Sequence, residues 1–459
     1  MILKKILPLF VFIHSVVFGQ SLLSEHNLDL KRGEMYHEIL TAPKASARGL
    51  TVFAADKITL TALRYTSVLY YADSLVADRP DIYEYNQMAG YSYSANGQPS
   101  VYWVGRDYKK IQEVYFDFET KKVSDYFYEL PFKDEEILTT FSENNSFYIV
   151  TLPKLGSRLK FYIFNEGKYI QRTLDFSKFN FTDAKDRPIS FNRLLESYPL
   201  QKTDENSYMQ LPDVAAKLKF YVSNKAIVFT FDQNPAFTQI ISIDTDTFTI
   251  AEKKVSQTAL NDAKTNSFML YGQLYQLALN KDELVLSCTG LDSVSQTKIL
   301  KVEAEEAIAF KNSPLLLQTD RQIEIKDTKK FLRRANSGNA AISVYRTPND
   351  LLVVAGAVRY IASSGYIMGL SDAGIDPSDM FPPEVQTVYF ESLFDDGFVH
   401  KDVPQQRLAA DYMGQFMAQN ERSISFQSIF KYDYYYVLGF YDARQKKYVL
   451  LRFEDDFVR

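Results

Sequence analysis

Ser295 stands three residues before Lys298, the spacing in which a lysine can take the proton of a serine nucleophile. Ser337-Gly338-Asn339 loosely fits the second serine motif of that chemistry. The third element, a Lys-Thr-Gly triplet, does not follow. The nucleophile would also have to open a helix, whereas Ser295 is expected in a turn before a strand at 298–302. No G-x-S-x-G elbow occurs, and its nearest look-alike is Ser363-Ser364-Gly365. In a chain rich in serine and lysine such fragments arise by chance, so no nucleophilic hydrolase is read from them.

Metal chemistry has few donors to draw on. The histidines are His14, His26, His37 and His400, with no H-E-x-x-H or H-x-H pair. His400 lies near Asp395, Asp396 and Asp402, an oxygen-rich group with one imidazole. On an extended strand 396, 400 and 402 share a face and 395 does not, so a solvated hairpin is expected. Asp244 and Asp246 open like a calcium loop but lack its glycine and closing glutamate, which leaves a turn between strands. Cys288 is the single cysteine, so neither a cysteine-based metal centre nor an intrachain disulfide is possible. No phosphate-binding glycine motif is present, and no cofactor, metal or catalytic residue is assigned.

Among 57 acidic residues, the catalytic pair of a glycosidase cannot be picked out by spacing. The adjacent pairs Glu135-Glu136, Glu305-Glu306 and Asp455-Asp456 point apart on a strand and read as surface charge. Tyr432, Tyr434, Tyr435, Tyr436 and Tyr441 crowd one hairpin, and Tyr91 and Tyr93 flank a Gly/Ser/Asn loop. Exposed, they could stack on sugars or a protein. The expected arrangement places the rings in the core and the hydroxyls at the rim. Lys329-Lys330 and Arg333-Arg334 form one basic patch, read as a solvated loop. The net charge of -5 argues against a nucleic-acid partner.

The elements that must position these residues are strands. Phe and Tyr number 34 and 32 among 459 residues, against 1 Trp, 18 Gly and 16 Pro, which rules out collagen-like and disordered chains. From about residue 50, short β-branched and aromatic runs alternate with Asn, Asp, Gly and Lys turns. A strand–turn–strand unit recurs at 114–127, 161–174, 241–255, 299–312 and 388–402, often after another strand pair. Two such pairs make a four-stranded antiparallel sheet, the repeat of a radial architecture. The expected fold is an all-β propeller of about five to seven irregular blades. An early strand near 51–60 would complete the last blade with 434–453. The alternative is two β-sandwich domains. Asp175–Asn206 reads as a long loop. One helical insertion is expected over 403–420, where Leu408, Tyr412 and Phe416, with Ala409, Met413 and Met417, make one apolar stripe and Pro404 suits a first turn.

At the N-terminus, Lys4 and Lys5 precede a mostly apolar run at 6–18, and Val17-Phe18-Gly19 offers small residues before Gln20. This is the layout of a secretory signal peptide at 1–19. Its removal would take the net charge from -5 to -7. Residues 20–45 follow as a leader that docks on a propeller body at 46–459. No later run has spanning length, and no cysteine near Gly19 offers a lipid anchor. The mature protein is expected to be soluble, in the periplasm or outside the cell. On the export signal and the strand units, the chain resembles exported β-propeller-like proteins of unknown function from Gram-negative bacteria. The W-D, Asp-box and kelch signatures are absent, so the resemblance carries over no site residue. It implies a non-enzymatic module presenting a propeller face to a protein or glycan partner in the envelope. The alternative is a polysaccharide hydrolase or lyase with carboxylates and tyrosines at the central channel.

Overall fold

The computed structural model describes residues 20–31, 33–45, 48–132, 134–223, 226–292, 297–361, 384–404 and 406–456. Its strands pair mainly with their neighbours in the chain, giving seven sheets of four or five strands in sequence order. Blades 1 to 7 span 38–78, 87–129, 135–175, 200–256, 264–303, 315–394 and 424–453. The inner edge strands of successive blades meet one another. Glu38–Pro43 touches Gln87–Tyr93 and Ile424–Tyr432, Gln87–Tyr93 touches Glu135–Glu143, and Lys264–Leu270 touches Asn339–Arg346. The innermost strand of each blade therefore lines an axis; it is the first of its blade in chain order except in blade 6, where Leu315–Gln318 and Gln322–Ile325 precede it and lie on the outer side.

Each blade buries both faces against its neighbours, so the core is distributed over the seams. Trp103 and Phe116 pack with Phe53 between blades 1 and 2. Tyr102 stacks on Phe147 at 4.9 Å between blades 2 and 3, and Phe141 meets Phe220 between blades 3 and 4. Tyr221 meets Phe268 edge-on between blades 4 and 5. One large cluster joins blades 5, 6 and 7. Leu50, Val52, Val437 and Leu450 fill the seam between blades 7 and 1. Large aromatic side chains suit wedge-shaped gaps because each covers much area at small conformational cost. Among the described residues seven blades close the ring, which makes the protein a β-propeller and leaves no place for two sandwiches.

The closing strand is not the one expected from sequence. Gln20–Asn27 pairs antiparallel with Lys447–Phe453, from Gln20 opposite Phe453 to Asn27 opposite Lys447. The strand expected there, near 51–60, divides into Leu50–Ala55 and Thr59–Tyr65, the second and third strands of blade 1. Leu50–Ala55 is buried at every position and belongs inside a sheet. Gln20–Asn27 is polar and largely exposed, as suits an outer edge. The leader at 20–45 thus supplies this strand and the axial strand Glu38–Pro43.

The units at 114–127, 161–174 and 241–255 are the outer hairpins of blades 2, 3 and 4. Those at 299–312 and 388–402 are not hairpins. Each begins in a strand, Lys298–Glu303 or Glu384–Phe394; the first then turns away through a segment that packs Ile308 and Phe310 without pairing, and the second folds back only as far as a single antiparallel bridge, Phe394 with His400. Asp175–Asn206 is more than a loop. It holds a short hairpin (Phe181–Thr182 with Pro188–Ile189), helix α1 (Phe191–Ser197) and the strand Leu200–Lys202. The basic segment holds helix α2 (Thr328–Ala335), capped by Asp327, whose side chain accepts the Lys330 N–H. Phe331, Leu332 and Ala335 face inward while the cations project outward. The expected helix is α3 (Ala409–Asn420). It starts later than expected because Asp411 accepts the Leu408 N–H and fixes the cap there, leaving Pro404 in the lead-in. Its stripe packs as anticipated, with Ala409 and Met413 buried and Tyr412, Phe416 and Met417 against the core.

Candidate binding site at the axial mouth

Four axial strands end together. Pro43, Tyr91, Glu143 and Lys431 stand near the C-terminal ends of the first strands of blades 1, 2, 3 and 7. With Lys44, Ser142, Asn144, Asn145, Tyr432 and Asp433 they line a polar opening of about 500 Å³. Asn206 reaches the same opening from blade 4. Its presence follows from a topological exception. Leu200–Lys202 runs parallel to Leu218–Val222, Leu200 opposite Leu218, so the chain must travel back before pairing. It uses 203–217 for this and crosses to the neighbouring blades. Ala215 and Ala216 accept from Asn266 of blade 5, Met209 accepts from Ser343 of blade 6, and the Tyr208 N–H donates to the Tyr436 hydroxyl of blade 7 at 2.7 Å.

Local sequence sets the rim. Asn144 and Asn145 both adopt left-handed backbone, the geometry of a tight hairpin turn that asparagine tolerates. The Asn144 amide donates to the Ser223 carbonyl at 2.9 Å, tying blade 3 to blade 4. The Asn145 side-chain Oδ1 is buried and has no partner among the described residues, while its backbone carbonyl accepts the Tyr93 N–H at 3.0 Å. Beneath the rim, the Phe147 ring occupies the space a side chain at Gly90 would need, 2.2 Å from an ideal Cβ. Only glycine lets blade 3 close against blade 2 there.

The charges are arranged unevenly. Glu143 is neutralised by Lys202 at 3.2 Å. Lys431 lies 4.8 Å above the Tyr345 ring and 5.9 Å above that of Tyr436. Burial lowers the pKa of its ammonium, opposed by Asp455 and Asp204. Lys44 lies over the Tyr93 ring, its pKa lowered by burial and then by Arg48. Burial raises the hydroxyls of Tyr91 and Tyr432. Two partly desolvated amines, amides and hydroxyls thus face one opening, able to bind hydroxyl, carbonyl or carboxylate oxygens.

The sequence candidates fall as follows. Tyr91 and Tyr432, from separate clusters, meet at this mouth. Their companions follow the expected core arrangement. Tyr435, Tyr436 and Tyr441 are buried, the Tyr432 hydroxyl accepts from the Gly49 N–H and donates to the Ser67 carbonyl, and Tyr93 donates to the Ala42 carbonyl. Tyr434 is 51% exposed. His400 bonds Asn312 at 3.0 Å and Asp396 pairs with Arg346, so that group disperses. Asp244 caps a turn by accepting the Asp246 and Thr247 N–H groups. Ser337 closes α2 by donating to Arg334, while Ser295 and Ser363-Ser364-Gly365 lie outside the described residues, as does 1–19.

Two readings of surface charge are corrected. Glu135 is 2% exposed in its side chain and is held by Lys160, Thr151 and Tyr162. Asp455 is buried, accepting the Tyr345 hydroxyl at 2.8 Å and the Ala409 N–H at 2.7 Å. The basic patch is a helix face and not a loop. Lys44, Glu143, Asn145, Lys202 and Lys431 carried no sequence signal beyond the Asn-Asn turn, because what unites them is the axis.

No protein-family model matches the chain, and no curated protein matches it. Among solved structures it is similar to the WD40 domain of SCAP from fission yeast, at 9% identity and a TM-score of 0.32, over 96% of this chain and 99% of that one. It is similar to the Dos1 propeller at 8% identity and a TM-score of 0.29, over 94% of each chain. It is also similar to Aleuria aurantia lectin in complex with alpha-methyl-L-fucoside, at 12% identity and a TM-score of 0.24, over 74% of this chain and 95% of that one. At such scores these likenesses add nothing to the fold, which rests on the strand pairing and the closed ring.

Proposed function

We propose that this protein is an exported, non-enzymatic binding module that takes a glycan or a protein segment of the cell envelope at the axial mouth. The observation that carries this reading is the convergence of Lys44 and Lys431, each beside an aromatic ring and partly desolvated, on one polar opening built by five blades. Ammonium groups in that setting have given up water and regain partners when ligand oxygens arrive. The aromatic girdle suits the apolar faces of sugars or side chains. Export rests on the n/h/c pattern of 1–19.

The direct test is a glycan array and envelope-protein crosslinking with the chain starting at Gln20. Wild type is compared with Lys431→Met and Lys44→Met. Binding that falls at least tenfold in both variants, with unchanged melting, supports the reading. Binding that ignores both substitutions, or release of new sugar ends on incubation, overturns it. N-terminal sequencing of the protein from intact cells tests export, with Gln20 as the expected first residue.

A further inference from the structure

A second cleft, of about 330 Å³, lies in the wedge between blades 6 and 7. Blade 6 supplies Gln318, Val354, Thr387, Tyr389 and Glu391, the crossover at 203–217 supplies Tyr208 and Leu211, and α3 supplies Ala410 and Asp411. The cleft is off the axis and shares no lining residue with the axial mouth. Its floor is apolar, since Leu211 and Val354 are buried.

None of the residues that line it is a lysine or arginine, although two are carboxylic acids. No hydrogen bond from a described residue reaches the Glu391 carboxyl, whose backbone alone bonds, to Ser313 and Asn312. Asp411, at the rim, has one oxygen taken by the Leu408 N–H. Tyr208 is half-buried, its hydroxyl is close enough to Glu391 and Asp411 to feel their charges, and no described side chain bonds it. An acid without a donor, an unused hydroxyl and two tyrosine rings therefore face one space. Glu391 is half-buried, and a partly desolvated carboxylate without a partner carries a cost that an ammonium relieves through the carboxylates and through the rings together.

We propose that the wedge between blades 6 and 7 is a binding site for a small organic ammonium ion, with Glu391 as its principal anchor, Asp411 as the rim anchor, and Tyr208 and Tyr389 as its aromatic walls. The apolar floor and the hydroxyls favour an alkyl amine over a bare metal ion, which would require more oxygen ligands than two carboxylates supply.

Proton linkage gives a signature. Without ligand, burial and then the Asp411 charge push Glu391 up to about 7, and burial raises Asp411 against the pull of Arg407. The other titratable groups that face the pair are Tyr208 and Tyr389, with Asp455 and Asp456 beyond Asp411. A cation binds the ionised acid and so displaces its proton. Affinity for an amine that stays protonated throughout must rise by about tenfold from pH 6 to pH 8.

Calorimetric titration of the full mature chain with 1,4-diaminobutane, and separately with calcium, tests this. The expected result is diamine binding that strengthens about tenfold between pH 6 and pH 8. It should weaken at least tenfold in Glu391→Gln and several-fold in Asp411→Asn. Absence of diamine binding to wild type, equal binding by Glu391→Gln, or calcium binding in its place overturns the assignment. If Glu391→Gln does not fold, the pH trend in wild type and the Asp411→Asn titration decide.

Discussion

The Lys219 ammonium meets the Asp232 carboxylate at 3.2 Å with side-chain exposures of 0% and 1%. Asp232 also accepts the Ser267 N–H at 3.0 Å, the Ser267 hydroxyl at 2.8 Å and the Thr238 hydroxyl at 2.7 Å. Lys219 donates as well to the Ala216 carbonyl and to Asn266. The pair therefore joins the second strand of blade 4, the crossover and the axial strand of blade 5.

Removing the acid leaves a buried ammonium without its counter-ion and three donors without a partner. Asp232→Ala should cost about 3–5 kcal/mol, read as a lower chemical-denaturation midpoint. Lys219→Met with Asp232→Leu should recover only part of this, because Ser267 and Thr238 stay unpaired. Full recovery by the double variant would show that the ion pair, not the network, holds the seam.

Ring closure makes a second prediction. Residues 20–27 cover the outer edge of Lys447–Phe453, and an uncovered edge is open to pairing with other chains. A chain that begins after Asn27 should melt at lower temperature, associate at high concentration and lose hydrogen-exchange protection over 447–453 while keeping it over 264–303. Equal protection at 447–453 in both chains would mean that blade 7 does not depend on this strand.

Cys288 supplies a third. It is buried in blade 5, its thiol donates to Gln273 at 3.0 Å, and burial pushes it up to about 11. At pH 8 roughly one thiol in a thousand is then the reactive thiolate. Iodoacetamide should leave the native protein unmodified and alkylate it fully in denaturant, as read by intact mass. Rapid native labelling would show that blade 5 opens locally.

Much of the architecture is written in local pattern. Short alternating runs such as 114–127 and 161–174 form outer hairpins because side-chain alternation and turn residues act within a few positions. The apolar stripe from Leu408 to Met417 makes a helix for the same reason. The outer limits of these elements were less legible, since caps such as Asp411 on Leu408 compete with Pro404 for the first turn.

What sequence alone determined was the all-β class, the blade-like repeat and, from one cysteine, that no intrachain disulfide can form, since composition and period decide those. Tertiary structure decided which strand closes the ring, that Glu135 and Asp455 are buried, and which residues share a site. Tyr91 and Tyr432, or Tyr208, Glu391 and Asp411, lie far apart in the chain. They meet only because innermost strands converge on an axis and because one parallel pairing, Leu200 with Leu218, sends the chain from blade 4 into the wedge beside blade 7. No local period encodes that meeting, because it follows from the geometry of the closed ring.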